Sequence, residues 1–229
     1  MIRIENVSLS YGKQAVNRDL FLEIPEASVH GLVGLNGSGK TTLLKALYGL
    51  KTLDRGKLSF REDILKRKDI AYLETDPFFY SRITGREYLR LFCLRNQAFD
   101  LNGWNDLFEL PLDRFIEEYS TGMKKKLAFM GIIALKRNIM ILDEPFNGVD
   151  LETTQKLKII IKALREQGKT ILLTSHILES LTSICDAISY LQDQKISYTF
   201  ERGEFAGMED KIFKSFNAKN VNIVRRLIR

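Results

Sequence analysis

The 229-residue sequence predicts an α/β fold in which an antiparallel β subdomain precedes a core of parallel strands, and an α-helical subdomain interrupts that core. Three observations support this prediction: a glycine-rich loop between a strand and a helix, apolar runs typical of parallel strands covered on both faces, and helical apolar spacing from about 74 to 136. With 45% hydrophobic residues, the chain can bury a sizeable core. We therefore expect a single domain over 1–229, ending in a basic extension at about 203–229.

The first strands are predicted to be half-buried and antiparallel. Apolar and polar residues partly alternate from Ile2 to Leu9, and Tyr11 and Gly12 follow as a turn. A second strand pattern, Leu20 to Ile24, stops shortly before the glycine-rich loop. An antiparallel sheet is therefore expected to lead into the core.

The glycine-rich loop has the pattern G-x-x-x-x-G-K-[ST] and lies between an apolar strand, Val29–Val33, and a helix predicted over Thr42–Tyr48. Glycines let backbone N–H groups point at phosphate oxygens, the lysine adds a cation near the β- and γ-phosphates, and the Thr41 hydroxyl can ligate Mg²⁺. The helix N-terminus adds partial positive charge. A nucleoside triphosphate site is therefore predicted at Gly34, Leu35, Asn36, Gly37, Ser38, Gly39, Lys40, Thr41 and Thr42.

The inserted region and the later core have distinct patterns. Apolar residues at helical spacing predict a helix over 87–94, and Pro111–Phe115 is expected to open another. Near-continuous apolar runs at 138–142 and 169–174 predict buried parallel strands, separated by a helix at about 151–167.

Two adjacent carboxylates, Asp143 and Glu144, end the apolar strand Ile139–Leu142 in the form of a Walker B element. A buried strand would deliver Asp143 rigidly to a Mg²⁺ ion. Glu144, one residue further on, is placed to orient or deprotonate an attacking water.

The remaining bulk features restrict the class of protein. Cys93 and Cys185 form no C-x-x-C pair, which predicts two reduced thiols rather than a disulfide or metal site. We expect no signal peptide, and the longest apolar run, Leu127–Leu135, is half the length of a membrane span. We expect a soluble or peripheral protein.

The net charge of +6 is compatible with nucleic acid, an anionic membrane surface or an acidic partner, and part of it lies after Asp210. The tail could form a basic amphipathic helix near lipid headgroups. Alternatively, it could form a terminal helix packed on its own domain with a solvated basic face, which we favour.

The order of these motifs resembles the ATPase subunits of ABC transporters over about residues 2–200, and this resemblance implies a P-loop NTPase (RecA-like) core. Tyr11 matches the aromatic residue that stacks on adenine in that family. Ser120 and Gly122 match the signature loop that contacts ATP held by the opposite subunit, although Thr121 and Met123 depart from the common Leu-Ser-Gly-Gly-Gln spelling. The two matching residues give no reason to infer an inactive site.

The resemblance also assigns residues beyond the signature loop. Asp150 matches the aspartate that communicates across the dimer, and His176, directly after a core strand, matches the switch histidine that contacts the γ-phosphate. The family's Mg²⁺-contacting glutamine aligns with Thr75, with Glu74 and Asp76 beside it. Thr75 is our candidate ligand, and a carboxylate could replace it with a shift in register.

The implied function is Mg²⁺-dependent ATP hydrolysis that powers a membrane transporter. Two ATPase subunits, identical or different, would enclose two ATP molecules, and separate integral membrane permease subunits would carry the substrate. The segment Ile83–Leu89 resembles ATPases of bacterial exporters. The chain is expected at the cytoplasmic face of the membrane as a peripheral subunit, and no nucleic-acid partner is expected.

Two other functions remain open at this stage. A soluble ABC-type ATPase acting on nucleic acid or ribosomes would suit the positive charge, but such proteins usually carry two ATPase domains or a long coiled-coil insertion. A P-loop kinase or GTPase is disfavoured because the sequence has no Asn-Lys-x-Asp tetrapeptide and a kinase would not need Ser120, Gly122 or His176.

Overall fold

The computed structural model describes residues 1–94, 96–212, 224 and 226–228. Its strands are β1 Ile2–Tyr11, β2 Gln14–Ile24, β3 Val29–Val33, β4 Arg55–Phe60, β5 Asp63–Ile64, β6 Ile70–Leu73, β7 Ile139–Leu142, β8 Thr170–Thr174, β9 Ala187–Gln192 and β10 Lys195–Glu201. Its helices are α1 Lys40–Leu47, α2 Gly85–Cys93, α3 Leu101–Phe108, α4 Thr121–Ala134, α5 Leu151–Glu166 and α6 Leu178–Thr182.

The first sheet is antiparallel, with the order β2-β1-β4-β5. Its pairing with β2 shifts register between Ile4 and Val7, and Asn6 between them has a left-handed φ of 52°. Such an irregularity changes which residues face the core. It explains why the buried positions in β1 change from even numbers at Ile2 and Ile4 to odd numbers at Val7 and Leu9.

The second sheet has the order β10-β9-β3-β8-β7-β6, and only β10 pairs in an antiparallel manner. The five parallel strands β9, β3, β8, β7 and β6 therefore end at the same edge. In an open α/β sheet, ligands bind outside that carboxyl edge. The glycine-rich loop and both Walker B carboxylates follow strands that end there.

Two apolar cores cover the two faces of this sheet. One core joins the first sheet and α1 to side chains such as Leu32 and Ile141. The other joins α4 and α5 to alternate side chains such as Val33 and Leu142. Because β3 and β7 are buried on both faces, their sequences are apolar apart from the buried His30 of β3. The helices α2, α3 and α4 lie between β6 and β7 in the sequence. This helical insertion, the antiparallel first sheet and the largely parallel second sheet confirm the predicted α/β fold class.

The helix predicted to open at Pro111–Phe115 is wrong. The backbone of this segment bonds instead to the start of α2: Gly85 N donates to Arg114 O, Arg86 N to Leu112 O, and Ile116 N to Ile83 O. These tertiary bonds use groups that a helix would pair internally. Only a short 3₁₀ turn, Ile116–Glu118, precedes α4.

The end of the chain is described in part. Met208 and Ile212 are buried against the core that contains α4 and α5. The basic extension predicted at about 203–229 otherwise lies mostly outside the described residues. Among the described residues, no helix combines the length and the apolar character that a membrane crossing requires.

Thr84 supports α2 through a capping box. Its hydroxyl accepts from Glu87 N at 3.2 Å, and the Glu87 carboxylate accepts from Thr84 N at 2.8 Å. We expect Thr84→Ala to lower the free energy of unfolding by about 1 kcal/mol, measured by denaturant titration. Thr84→Ser retains the hydroxyl and should keep nearly all of that stability. Equal losses in both variants would contradict the capping role.

Candidate functional site

A cleft of about 390 Å³ opens at the carboxyl edge of the parallel sheet. It brings together residues from the end of β1, from the glycine-rich loop, and from the segments that follow β6, β7 and β8. Ligand pockets in proteins commonly measure about 300–1,000 Å³. Its lining is Tyr11, Gln14, Val16, Asn36, Gly37, Gly39, Lys40, Thr41, Thr42, Thr75, Glu144 and His176.

Glycines shape the loop of the cleft. Gly37 and Gly39 have left-handed φ angles of 78° and 102°, which glycine adopts without steric cost. Gly39 directly precedes α1 and has no side chain that could cap its first N–H groups, so these groups are available to an anion. Leu35 is exposed beside the cleft, and the hydroxyl of Ser38 is buried within the loop.

Gly34 begins the loop under a steric constraint. A Cβ atom on Gly34 would lie 2.5 Å from the carbonyl oxygen of Leu191. That distance is far below van der Waals contact, so a side chain here would displace the loop from β9.

Lys40 is buried beneath the loop. Its Nζ donates to Gly34 O at 2.8 Å and to Leu35 O at 3.3 Å. Burial lowers the pKa of Lys40, while the charges of Glu144 and Asp143 act in the opposite direction. The lysine therefore brings a cation close to both acidic residues and to the wall of the cleft.

Asp143 is 1% exposed and lies behind the cleft. Its Oδ1 accepts from the Thr174 hydroxyl at 2.7 Å, and that hydroxyl in turn accepts from Glu144 N at 2.9 Å. Among the described residues, the buried Oδ2 has no hydrogen-bond partner. Mg²⁺ prefers carboxylate and other oxygen ligands, so this carboxylate oxygen has the chemistry that such an ion requires.

Glu144 and His176 meet at the opening of the cleft. His176 N donates to Oε2 of Glu144 at 3.2 Å, and Nε2 of the imidazole lies 3.1 Å from Oε1. Burial raises the pKa of Glu144, and His176 and Lys40 oppose that rise. A carboxylate with a raised pKa accepts a proton more readily than an ordinary one. Glu144 also has a φ of 52°, a strained conformation that often occurs at functional sites.

Ser120, Gly122 and Asp150 lie outside this cleft. Ser120 caps α4 by accepting from Met123 N at 3.2 Å, and Asp150 caps α5 by accepting from Thr153 N at 2.6 Å. A Cβ atom on Gly122 would lie 3.2 Å from Gly148 O, so the two loops pack closely. The structure thus groups these residues in a second region, formed by the starts of α4 and α5.

Sequence reasoning missed four residues around the site. Gln14 and Val16 line the cleft, Thr174 connects the two Walker B residues, and Lys125 is a buried cation that donates to Thr75 O at 2.6 Å. Thr174 ends a strand next to a candidate residue, which is a weak signal. Lys125 belongs to a run of three lysines, which in sequence resembles a solvated face.

Comparison with known proteins identifies the family. The family model described as ABC transporter matches residues 17–147. The ABC transporter ATP-binding protein YtrB of Bacillus subtilis is 29% identical over 99% of this chain and 80% of its own length. The lantibiotic transport ATP-binding protein SrtF of Streptococcus pyogenes is 29% identical over 86% and 89%. The bacitracin transport ATP-binding protein BcrA of Enterococcus faecalis is 30% identical over 84% and 67%.

Solved structures share the fold. The ATP-binding subunit of an ABC transporter, 27% identical, superimposes with a TM-score of 0.82 over 95% of this chain and 93% of its own. The cassette MJ0796, described as a dimer in a post-hydrolysis state with ADP and Pi, is 19% identical and has a TM-score of 0.78 over 88% and 99%. The second likeness supports the fold alone.

The chain belongs to the ABC transporter family, as an ATP-binding subunit. The resemblance found in the sequence is therefore confirmed. In this family the subunit binds ATP and hydrolyses it to power a membrane transporter.

Thr174→Val tests the connection between Asp143 and Glu144. Valine matches threonine in shape but removes the hydroxyl that donates to the carboxylate and accepts from Glu144 N. We expect kcat for ATP hydrolysis to fall on the order of tenfold, with a loss of about 1–3 kcal/mol in stability from unpaired buried groups. Thr174→Ser keeps the hydroxyl and should retain most activity. Full turnover in the valine variant would show that this bond does not position the carboxylates.

Proposed function

We propose that this chain is the ATPase subunit of a bacterial exporter, bound to the cytoplasmic face of the membrane through separate permease subunits. The supporting observation is that one cleft contains the glycine-rich loop, Lys40, Glu144 and His176, while Ser120 and Gly122 lie in a separate region. An arrangement of this kind suits two subunits that complete each other's sites.

Nucleotide binding is assigned to the loop and to β1. The backbone N–H groups of residues 34–42 and the Lys40 ammonium would hold the phosphates. Tyr11, 53% exposed at the cleft, would stack its ring on adenine. The side chain of Lys51 lies 5.0 Å from the centre of that ring and adds positive charge beside it.

Catalysis is assigned to Glu144 and His176. Glu144 would accept a proton from the attacking water, helped by the burial that raises its pKa. His176 would hold the carboxylate through its backbone N–H and present its imidazole to the γ-phosphate. Asp143, Thr41 and Thr75 would hold Mg²⁺, which supplies positive charge to the phosphates.

The second subunit is assigned to the region around the starts of α4 and α5. Ser120 and Gly122 would contact ATP in the opposite subunit, with Asp150 communicating between the two sites. Ser120 is exposed and already caps a helix N-terminus, a place that favours an anion. Closure of two subunits would complete the site, and hydrolysis would reopen it.

The direction of transport rests on relatives. SrtF and BcrA are described as lantibiotic and bacitracin transport ATP-binding proteins, which favours export of a peptide antibiotic or a similar compound over nutrient uptake. The same relatives favour permease partners over nucleic acid. The alternative function is a soluble ATPase that acts on nucleic acid or ribosomes, and affinity purification distinguishes the two.

Glu144→Gln tests the catalytic assignment. We expect it to bind ATP but to lose on the order of 10²-fold or more in kcat, because the amide cannot accept the proton from water. Lys40→Ala is the matched variant of the binding machinery. Unlike Glu144→Gln, it should lose ATP binding in addition to turnover. Equilibrium ATP binding and phosphate release measure the two effects. Normal turnover in Glu144→Gln would remove Glu144 from the catalytic role.

Affinity purification from gently solubilised native membranes tests the partner. We expect a multi-span protein to co-elute with the chain at a near-equal ratio, as identified by mass spectrometry. Recovery only in the soluble fraction, together with ribosomal proteins or nucleic acid, would favour the alternative function.

A further inference from the structure

Lys125 occupies a position that disfavours a lysine. It lies in α4 and is only 3% exposed. Its neighbours Lys124 and Lys126 remain partly exposed. Burial of an ammonium group is unfavourable unless the surrounding groups compensate for the lost water.

The compensating groups belong to the catalytic cleft. Lys125 Nζ donates to Thr75 O at 2.6 Å and lies 3.4 Å from a second acceptor, Glu144 O. Both acceptors are backbone carbonyls, so the contact fixes the backbone of these segments rather than a mobile side chain. Burial lowers the pKa of Lys125, and the nearby carboxylates of Asp76, Asp143 and Glu144 oppose that change.

These contacts connect the two regions of the site. Thr75 and Glu144 line the cleft, whereas Lys125 is on the helix that begins directly after Ser120. A methionine would fill a similar volume without the cost of burying charge. What lysine adds at this position is a set of N–H donors directed at two carbonyls.

We propose that Lys125 is a positioning residue of the ATPase, which ties the Thr75 and Glu144 segments of a subunit to its own Ser120 helix. This inference rests on the proposed function, because it assumes that Glu144 is catalytic and that Ser120 engages ATP of a second subunit. Displacement of the Ser120 helix by the partner's nucleotide is transmitted through Lys125 to the backbone that carries Glu144. The state of one site thereby affects catalysis in the other.

Three substitutions separate the donors from the volume and charge of the side chain. Lys125→Met keeps most of the length and removes every donor, whereas Lys125→Gln provides two neutral N–H donors. Lys125→Ala is the second variant if methionine prevents folding, because water can then reach the carbonyls but cannot tie them to α4. Lys126→Met is the matched control, since Lys126 donates to Phe108 O at 3.1 Å in the helical insertion.

We expect kcat to fall on the order of tenfold in Lys125→Met and Lys125→Ala, because misplacement of a catalytic group is costly. KM and the equilibrium ATP affinity should stay within about threefold of the wild type, because the glycine-rich loop is unchanged. Lys125→Gln should recover most of the turnover, and Lys126→Met should match the wild type. Amide hydrogen exchange without nucleotide should accelerate in residues 74–76 and 144–148 of the methionine and alanine variants, but not in α1.

Turnover within twofold of the wild type in both Lys125→Met and Lys125→Ala would overturn the proposal. The proposal would also be overturned if ATP affinity fell in proportion to kcat and amide hydrogen exchange became faster throughout the core. That pattern would indicate a general structural role for Lys125. Different results would contradict the proposed function itself: no ATP hydrolysis by the wild type, or full turnover in Glu144→Gln.

Discussion

The site depends on the parallel alignment of β3, β8 and β7. Because these neighbouring strands run in one direction, their carboxyl ends place the glycine-rich loop, His176 and the two Walker B carboxylates along one edge. The three strands are buried on both faces. A reversed strand would carry its polar residues to the opposite edge, about 15 Å away for a strand of five residues.

This arrangement buries charged side chains, and local contacts reduce the unfavourable energy of that burial. Asp143, Glu144 and Lys40 are all less than 10% exposed. The carboxylates are surrounded by the Thr174 hydroxyl of β8, the His176 backbone just after β8, and the cations Lys40 of α1 and Lys125 of α4. Unpaired buried charges would be strongly unfavourable. Preorganised groups of this kind stabilise charge without rearranging during the reaction.

The core sheet and the inserted helices contribute to the cleft in different ways. Apolar packing covers both faces of the core sheet, whereas α2, α3 and α4 form an insertion between β6 and β7 whose two ends lead back to the cleft. The segment after β6 enters this insertion at Thr75, and α4 leaves it toward β7. Rotation of such an insertion about its two connections is the kind of hinge motion that closes other ligand sites. Lys125 contacts the backbone at both connections, at Thr75 O and Glu144 O, which is why we propose it as the residue that ties them together.

Local chemistry in the sequence by itself determined the fold class, the glycine-rich loop and the Walker B carboxylates. The spacing of glycines, lysine and threonine has few structural uses, and continuous apolar runs require burial on both faces. Tertiary structure alone decided three other features: the non-helical course of Pro111–Phe115, the bond from Thr174 to Asp143, and the burial of Lys125. Each depends on at least one group more than 25 residues away in the sequence, such as the backbone at the start of α2 or the Thr75 carbonyl. A lysine in a run of three gives no local sign of the carbonyls that it meets after folding.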